Sequence, residues 1–341
     1  MPQCQMIMHA VSPLLVTGLT NGTTYSFTVN GRTNGGPGGP GSPSIQVTPR
    51  LAGSIWTQGD TTVTGGSDLH GVVHGSVFVA VGSNGGSFSS SDGNIWTAMN
   101  NPSSSTNLNA VTYYGGSYLA VGAGGVLWLS TDALNWTLPL SVTTNDLYAV
   151  TGNGAGVFVA TGASGTIIYS SGGTWYVAAS SGTATTNPLY AVTYGNGMYV
   201  AAGAAGTLLT STDGSTWTAA NFSSAASISA VNLKAVAYGP AIGTTATGIF
   251  VALGDNGTLV TSLDGGVSWV LQPAISSTGI NAVTYGRQFV AVDNAGGVFT
   301  STDGVNWSSA TSPATSPLYA VTHGLYDYSA VGAAGLNMHS M

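Results

Sequence analysis

Apolar and polar positions alternate along most of this chain in short bursts, and the bursts recur in a fixed order. In "LNAVTYYGGSYLAVGAGGVLWLSTDALNWT" (108–137), runs of Val, Leu, Ala, Thr and Tyr are cut by Gly pairs or by an Asp turn. β-Branched and aromatic residues in the runs, with Gly, Asn and Asp between them, predict strands joined by tight turns. The order returns in "LYAVTGNGAGVFVATGASGTIIYSSGGTWY" (147–176) and "LYAVTYGNGMYVAAGAAGTLLTSTDGSTWT" (189–218). Weaker copies begin at Leu69, Leu233 and Ile280, and a partial one at Leu318. Each unit reads as a first strand "LxAVTY", a second "FVAVG" or "YLAVG", a third "GTLLTS", and a short fourth strand opened by "DGxxW".

The repeating Trp residues set the period. Trp56, Trp96, Trp136, Trp175, Trp217, Trp269 and Trp307 fall about 40 residues apart, with an insertion between Trp217 and Trp269. Four short strands in each such unit predict a β-propeller. The first strands carry Ala or Gly at one place: Gly71, Ala110, Ala149, Ala191, Ala235, Ala282 and Ala320. Inner strands converge on the axis, where a larger side chain would meet the next blade. The unit at Leu318 stops before a turn and a Trp, whereas "AGSIWTQ" (52–58) has a Trp and no blade before it. Joining the two makes an all-β, seven-bladed propeller over residues 51–341, closed by the N-terminal strand through Trp56. Such closure removes the free sheet edges.

The turn phrases "SSDGNIW" (90–96), "STDALNW" (130–136), "STDGSTW" (211–217), "SLDGGVSW" (262–269) and "STDGVNW" (301–307) resemble the Asp-box of sialidase-like (BNR) and photosystem-assembly-factor-like propellers. The resemblance implies a hairpin between third and fourth strands. In it Asp92, Asp132, Asp213, Asp264 and Asp303 accept backbone N–H bonds. Trp96, Trp136, Trp175, Trp217, Trp269 and Trp307 cover the turns. These roles are structural. The third unit reads "SSGGTW" (170–175) and lacks the Asp, so a looser turn is expected there.

Residues 1–50 form a second region. "LLVTGLTNGTTYSFTVNGRTNGGPGGPGSPSIQVTPR" (14–50) resembles the C-terminal half of a fibronectin type III domain. "GLTNGTTY" (18–25) matches that family's tyrosine-corner phrase, with Leu19, Gly22 and Tyr25 in place, whereas the earlier strands and their core Trp are missing. A partial sandwich exposes strand edges. Strand addition to a neighbouring molecule is therefore expected, and a head-to-tail contact of that kind builds a filament.

Composition narrows the partners. Charged residues make up 4% of the 341 positions: Arg32, Arg50, Lys234, Arg287 and eleven Asp, with no Glu. Four basic groups do not neutralise a phosphate backbone, so nucleic acid is an unsuitable partner. No apolar run approaches the roughly 20 residues of a membrane-spanning helix. Cys4 is the single cysteine, which leaves no intrachain disulfide and no thiolate metal site. No cofactor motif is visible. The neutral, Gly/Ser/Thr-rich surface resembles that of secreted proteins, and an extracellular or cell-surface location is expected.

Sialidase chemistry needs an arginine triad and a Glu, and this chain has three Arg and no Glu. Two-carboxylate glycosidase chemistry would have to use Asp. Outside the turn phrases stand Asp60, Asp68, Asp146, Asp255, Asp293 and Asp327. Asp68 and Asp146 precede first strands, and Asp255 and Asp293 follow second strands, which places all four near one rim. They read as solvated turn residues or as an acid–base pair. Between the Leu/Ile and the Ala/Gly of each first strand lie His70, Asn109, Tyr148, Tyr190, Lys234, Asn281 and Tyr319. Their neighbours barely change, yet they differ. They should ring one mouth of the axial channel, where aromatic and amide groups suit sugar or peptide contact. With Asp146 and Asp293 they are the ligand-rim candidates. The expected function is a non-enzymatic structural or adhesive protein that self-associates. The alternatives are a glycan-binding module and a glycoside hydrolase using Asp pairs. The expected partners are the chain itself and an extracellular glycan or protein.

Overall fold

A computed structural model describes residues 52–101, 105–222, 228–244 and 246–340; before these it describes only Leu19 and residues 23–28, 32–33, 36–37 and 46. Each "LxAVTY" run is the innermost strand of a blade. These strands are Leu69–His74, Leu108–Tyr114, Leu147–Gly152, Leu189–Gly195, Leu233–Gly239, Ile280–Tyr285 and Leu318–His323, in blades 1 to 7. Neighbouring inner strands pack on one another right round the ring, that of blade 7 against that of blade 1. Behind each follow second, third and short outer strands in antiparallel order. In blade 2 the outer strand shrinks to one bridge between Leu129 and Thr137. Blade 5 gains a fifth strand, Asn221–Phe222, which leaves blade 4 and runs parallel to Ser268–Trp269.

The blades adhere through apolar faces that belong to two blades at once. Val79 and Val81 of blade 1 share a cluster with Leu108, Tyr118 and Trp128 of blade 2. Phe250 and Trp269 of blade 5 share one with Val200 and Leu208 of blade 4. The second strands are therefore buried on both faces, which is why "FVAVG" is an unbroken apolar run. The small residue of the inner strand has the predicted cause. A Cβ added at Gly71 would lie 3.0 Å from both Ala110 Cα and Val111 N of the next blade.

In every blade but the sixth, second and third strands are joined by single 3-10 turns, such as Ser83–Gly85, Ala163–Gly165 and Ala333–Gly335. Their middle residues take positive φ, 56° at Asn84 and 53° at Ser164 and Ala334. Third and fourth strands are joined by the Ser-x-Asp turns. In blade 1, Ser90 Oγ accepts the Gly93 N–H at 2.9 Å, and Asp92 Oδ1 accepts those of Asn94 and Ile95 at 2.9 Å. The Trp96 indole donates back to the Gly93 carbonyl at 3.2 Å. Blades 4 and 6 repeat this pattern around Asp213 and Asp303. In blade 5 the turn is one residue longer, and Asp264 reaches the Ser268 N–H at 2.9 Å. In blade 2 Ala133 takes the Gly place with φ of 57°, and the buried Trp136 indole N–H finds no partner.

Blade 3 departs from the expected loose turn. Ser171 pairs directly with Thr174 across Gly172 and Gly173, whose φ values are 59° and 81°. Positive φ at both central residues is the two-residue hairpin whose twist matches that of its strands. Losing the Asp has tightened the turn, and the outer strand, Thr174–Val177, runs to four residues.

Ring closure follows the predicted route. Thr57–Gln58 pairs antiparallel with blade 7, Thr57 opposite His339 and Gln58 opposite Met338. Gly53 N–H donates to Ser340 Oγ at 2.9 Å, and the Trp56 indole donates to the Gly53 carbonyl at 2.8 Å. This repeats the Ser90–Gly93–Trp96 arrangement, with "AGSIW" (52–56) standing for "DGNIW" (92–96). Most of the fibronectin-like stretch lies outside the described residues. Within it Arg32–Thr33 pairs with Gly36–Pro37, and the rings of Tyr25 and Phe27 stand 6.4 Å apart.

Candidate functional site

The inner strands share an irregularity at one place. In blade 1 Leu69 faces Gly82 and Gly71 faces Val81, so His70 is left over as a bulge. The same shift sets out Asn109, Tyr148, Tyr190, Lys234, Asn281 and Tyr319. A bulged residue is released from the ladder and its side chain is re-aimed. These positions can therefore differ while the Leu or Ile before and the Ala or Gly after barely change. All seven are half-buried, and they stand where the inner strands begin, around one mouth of the ring.

Three of them reach the next blade. Asn109 Nδ2 donates to the Leu147 carbonyl and Asn281 Nδ2 to the Leu318 carbonyl, both at 2.8 Å. His70 Nδ1 lies 3.1 Å from the Leu108 carbonyl, a contact that places the ring proton on Nδ1. The Tyr148 and Tyr190 rings lie 5.8 Å apart, and Tyr319 meets His70 edge-on at 5.9 Å. Burial pushes the Tyr148 and Tyr319 phenols above their ordinary value, and the charges of Asp146 and Asp68 add to it. Both remain hydroxyl donors at neutral pH. Lys234 is paired with Asp255 at 2.7 Å. The mouth thus has one aromatic pair over blades 7 and 1 and another over blades 3 and 4, separated by Asn109 of blade 2, and a polar arc over blades 5 and 6.

The carboxylates of this rim serve the frame. Asp68 Oδ1 accepts the Ala334 N–H at 2.8 Å and so ties blade 1 to the turn of blade 7. Asp146 Oδ1 ties blade 3 to blade 2 through the Gly124 N–H at 2.7 Å. Asn107 does the same between blades 2 and 1 through the Asn84 N–H at 2.9 Å. Asp255 accepts from Asn232 at 2.8 Å as well as from Lys234, and these bonds outweigh partial burial and lower its carboxyl. Asp293, placed on the ligand rim by sequence, is 3% exposed. Its Oδ1 accepts the Ala295 and Gly297 N–H groups at 2.9 and 2.6 Å, and its Oδ2 accepts the hydroxyls of Ser276 and Thr278. It builds the turn that a 3-10 segment builds in other blades. The rim Asp residues are spread among separate blade contacts.

The opposite rim holds the hairpins from first to second strands and the Ser-x-Asp turns. Trp96, Trp136, Trp175, Trp217 and Trp269 are buried there, and Trp307 is half-buried. Partial burial raises the Asp303 carboxyl, but the N–H groups of Asn306 and Val305, the Asn306 amide and the Ser301 hydroxyl outweigh it and hold it at about 2. Asp132, led by the Asn135 N–H, lies lower still. On this rim sequence reasoning missed a pocket beside Arg287 and Asp327. Two signals pointed to it: Arg287 is the one Arg after residue 50, and the blade 7 hairpin "HGLYDY" differs from its counterparts. Among the described residues no three His, Cys, Asp or Glu side chains come together as metal ligands, and no helix is long and apolar enough to cross a membrane.

No protein-family model matches the chain, and no curated protein does. Solved structures do match in fold. YCF48 from Cyanidioschyzon merolae superposes with a TM-score of 0.64 at 20% identity, over 84% of this chain and 98% of that one. A YCF48 bound to a D1 peptide gives 0.65 at 17% identity, over 86% and 99%. The WD40 propeller domain of Doa1 gives 0.63 at 13% identity, over 85% and 96%. The chain is a seven-bladed propeller similar to these.

Proposed function

We propose that this propeller is a non-catalytic binding module and that the mouth ringed by bulged residues holds a polypeptide segment. The carrying observation is the contrast at that mouth: seven bulged, half-buried side chains differ while the frame around them repeats. Tyr148 and Tyr190 offer a paired aromatic surface with hydroxyl donors, and Tyr319 with His70 offers a second. Aromatic side chains present large rigid contact area together with a polar tip, a composition suited to peptide chains. That a propeller of similar fold has been seen with a D1 peptide supports a peptide over a sugar. The engagement of the rim carboxylates in blade contacts supports binding over hydrolysis. The test is selection from a displayed random-peptide library with the wild-type chain and with Tyr148→Ala/Tyr190→Ala/Tyr319→Ala. Enriched peptides should bind the wild type and lose at least about tenfold in affinity on the triple variant. Peptides that bind both equally, or hydrolysis of a polysaccharide by the wild type, would refute the reading.

A second reading, self-association at a cell surface, has its own support. The outer strand of blade 3, Thr174–Val177, exposes Tyr176 and Val177 and carries no charge. Uncharged outer edges accept added strands. Residues 1–50 supply strand-like segments for such an addition, and the weakly charged composition fits an extracellular setting. Sedimentation of the full chain should then show polymers that vanish when residues 1–50 are removed; a monomeric full chain sinks this reading.

A further inference from the structure

On the rim opposite the bulge ring, a pocket of about 160 Å³ lies between the hairpins of blades 6 and 7. Its wall includes Arg287, His323, Leu325, Tyr326 and Asp327. The two hairpins are bound together beneath it. The Tyr328 hydroxyl accepts the N–H groups of Arg287 and Gln288 at 3.0 and 3.1 Å and donates to the Gln288 carbonyl at 2.9 Å. Gly324 N–H donates to the Asp327 carbonyl at 2.8 Å and closes the blade 7 hairpin. The walls therefore stand on a fixed base.

The charges in this pocket are unusual for the molecule. Lys234 and Arg287 are the cations whose side chains are described, and Lys234 is consumed by Asp255 at 2.7 Å. Arg287 lies over the Tyr326 ring, 5.0 Å from its centre, and among the described residues it has no carboxylate partner. Asp327 lines the same pocket and does not pair with it. On blade 1 His74 lies near enough to feel the Asp327 charge, but burial lowers its ring below the ordinary value. Among the described residues no Lys, Arg or His nitrogen lies within ion-pair distance of the Asp327 carboxylate. Leu325 and Tyr326, 76% and 61% exposed, stand beside the charges as apolar surface.

A cation and an anion that line one small pocket without pairing, beside exposed apolar side chains, match a ligand that carries both charges itself. We propose that this pocket binds a small zwitterion, an α-amino acid, with Arg287 on its carboxylate, Asp327 on its ammonium group and Leu325 and Tyr326 against its side chain. Arg presents paired donors that suit a carboxylate, and stacking on an aromatic ring preorganises them. The volume lies below the roughly 300–1,000 Å³ of drug-sized sites and restricts the ligand to a molecule of amino-acid size. The site is independent of the channel mouth and stands or falls separately from it.

The test uses the full chain at neutral pH, with binding followed by calorimetry or ligand-observed NMR. The probes are L-leucine, leucinamide, which lacks the carboxylate, and N-acetyl-L-leucine, which lacks the ammonium group. Leucine should bind at least about tenfold more tightly than either analogue. Arg287→Gln should erase the gap between leucine and leucinamide. Asp327→Asn should erase the gap between leucine and N-acetyl-leucine. Arg287→Lys keeps the charge and should retain part of the preference, and the triple Tyr variant of the mouth should bind leucine normally. Absence of saturable leucine binding up to about 10 mM, or equal binding of the three probes, overturns the proposal. So does loss of leucine binding in the mouth variant while its fold is intact.

Discussion

Blades 1 and 7 make the same turn in two ways. In blade 1 Ser90, Asp92, Gly93 and Trp96 follow one another on a continuous hairpin. In blade 7 the serine is Ser340 and the rest is Gly53 and Trp56, 287 residues away. The Ser hydroxyl holds the Gly N–H at 2.9 Å in both, and Trp56 and Trp96 are each 2% exposed. What differs is the Asp. Ala52 stands where Asp92 stands, and its carbonyl accepts the Gln288 amide of blade 6 at 2.7 Å. The Ser–Gly–Trp clamp is therefore the part that blades 1, 4, 5, 6 and 7 share, while blade 2 keeps only its Ser bond to the Ala133 N–H. The Asp is needed where the chain itself must reverse, to satisfy the N–H groups the reversal leaves free. Blade 3 is a third solution, in which Gly172 and Gly173 reverse the chain without either device.

If the clamp is the common element, removing its indole should be the largest single loss, and larger in consequence at the seam than elsewhere. Trp56→Ala should cost about 3–5 kcal/mol, as for large buried aromatic side chains generally. Trp96→Ala should cost a similar amount but leave the ring closed. Urea unfolding of the two variants separates them. The seam variant should lose cooperativity because Thr57–Gln58 is released from blade 7, and a wild-type midpoint for Trp56→Ala would contradict the closure described above.

The Asp contribution should be smaller and dependent on pH. Asp303 accepts the N–H groups of Val305 and Asn306 at 2.9 and 2.8 Å, as an N-cap Asp does in a helix. Asp303→Ala should cost about 1–2 kcal/mol on that analogy. Because the folded carboxyl is held at about 2, below its value in the unfolded chain, its contribution is fully present above the ordinary carboxylate range and is lost as pH falls towards about 2. Stability measured from pH 5 downward should fall less steeply in the variant than in the wild type. Parallel curves would mean that the carboxylate does not act through these bonds.

Much of this architecture was legible because a repeat displays its own rules. The Trp spacing, the small residue on the inner strand and the orphan "AGSIWTQ" led to seven blades and their closure. What escaped reading shares one physical feature: it depends on which backbone group a side chain meets. A bulge leaves no trace in composition, so the variability at His70, Asn109 and their counterparts was visible but its cause was not. Asp293 looked like a solvated turn residue, since nothing in the sequence shows that Ser276 and Thr278 fold over it. The meeting of Arg287 with Tyr326 and Asp327 joins two hairpins about 40 residues apart in a pattern no other blade repeats.

The finest distinction lies between the Asp turns and the Gly172–Gly173 hairpin, and it can be tested with one substitution. The two glycines adopt positive φ, 59° and 81°, and a Cβ at either would meet nothing within 4 Å. Space is therefore no obstacle, and backbone preference alone decides. Asn tolerates the left-handed region better than other residues with a Cβ, and Asn-Gly is the favoured pair for this hairpin type. Gly172→Asn should keep the native conformation while narrowing the freedom of the unfolded chain. A gain of about 0.4–1 kcal/mol is expected from that entropy. Gly173→Ala places a Cβ at φ of 81° without Asn's tolerance and should lose roughly 1–2 kcal/mol. Opposite signs at adjacent positions, read from chemical denaturation, mark a turn held by backbone conformation. Equal losses at both would mean that blade 3 is held by contacts beyond the turn.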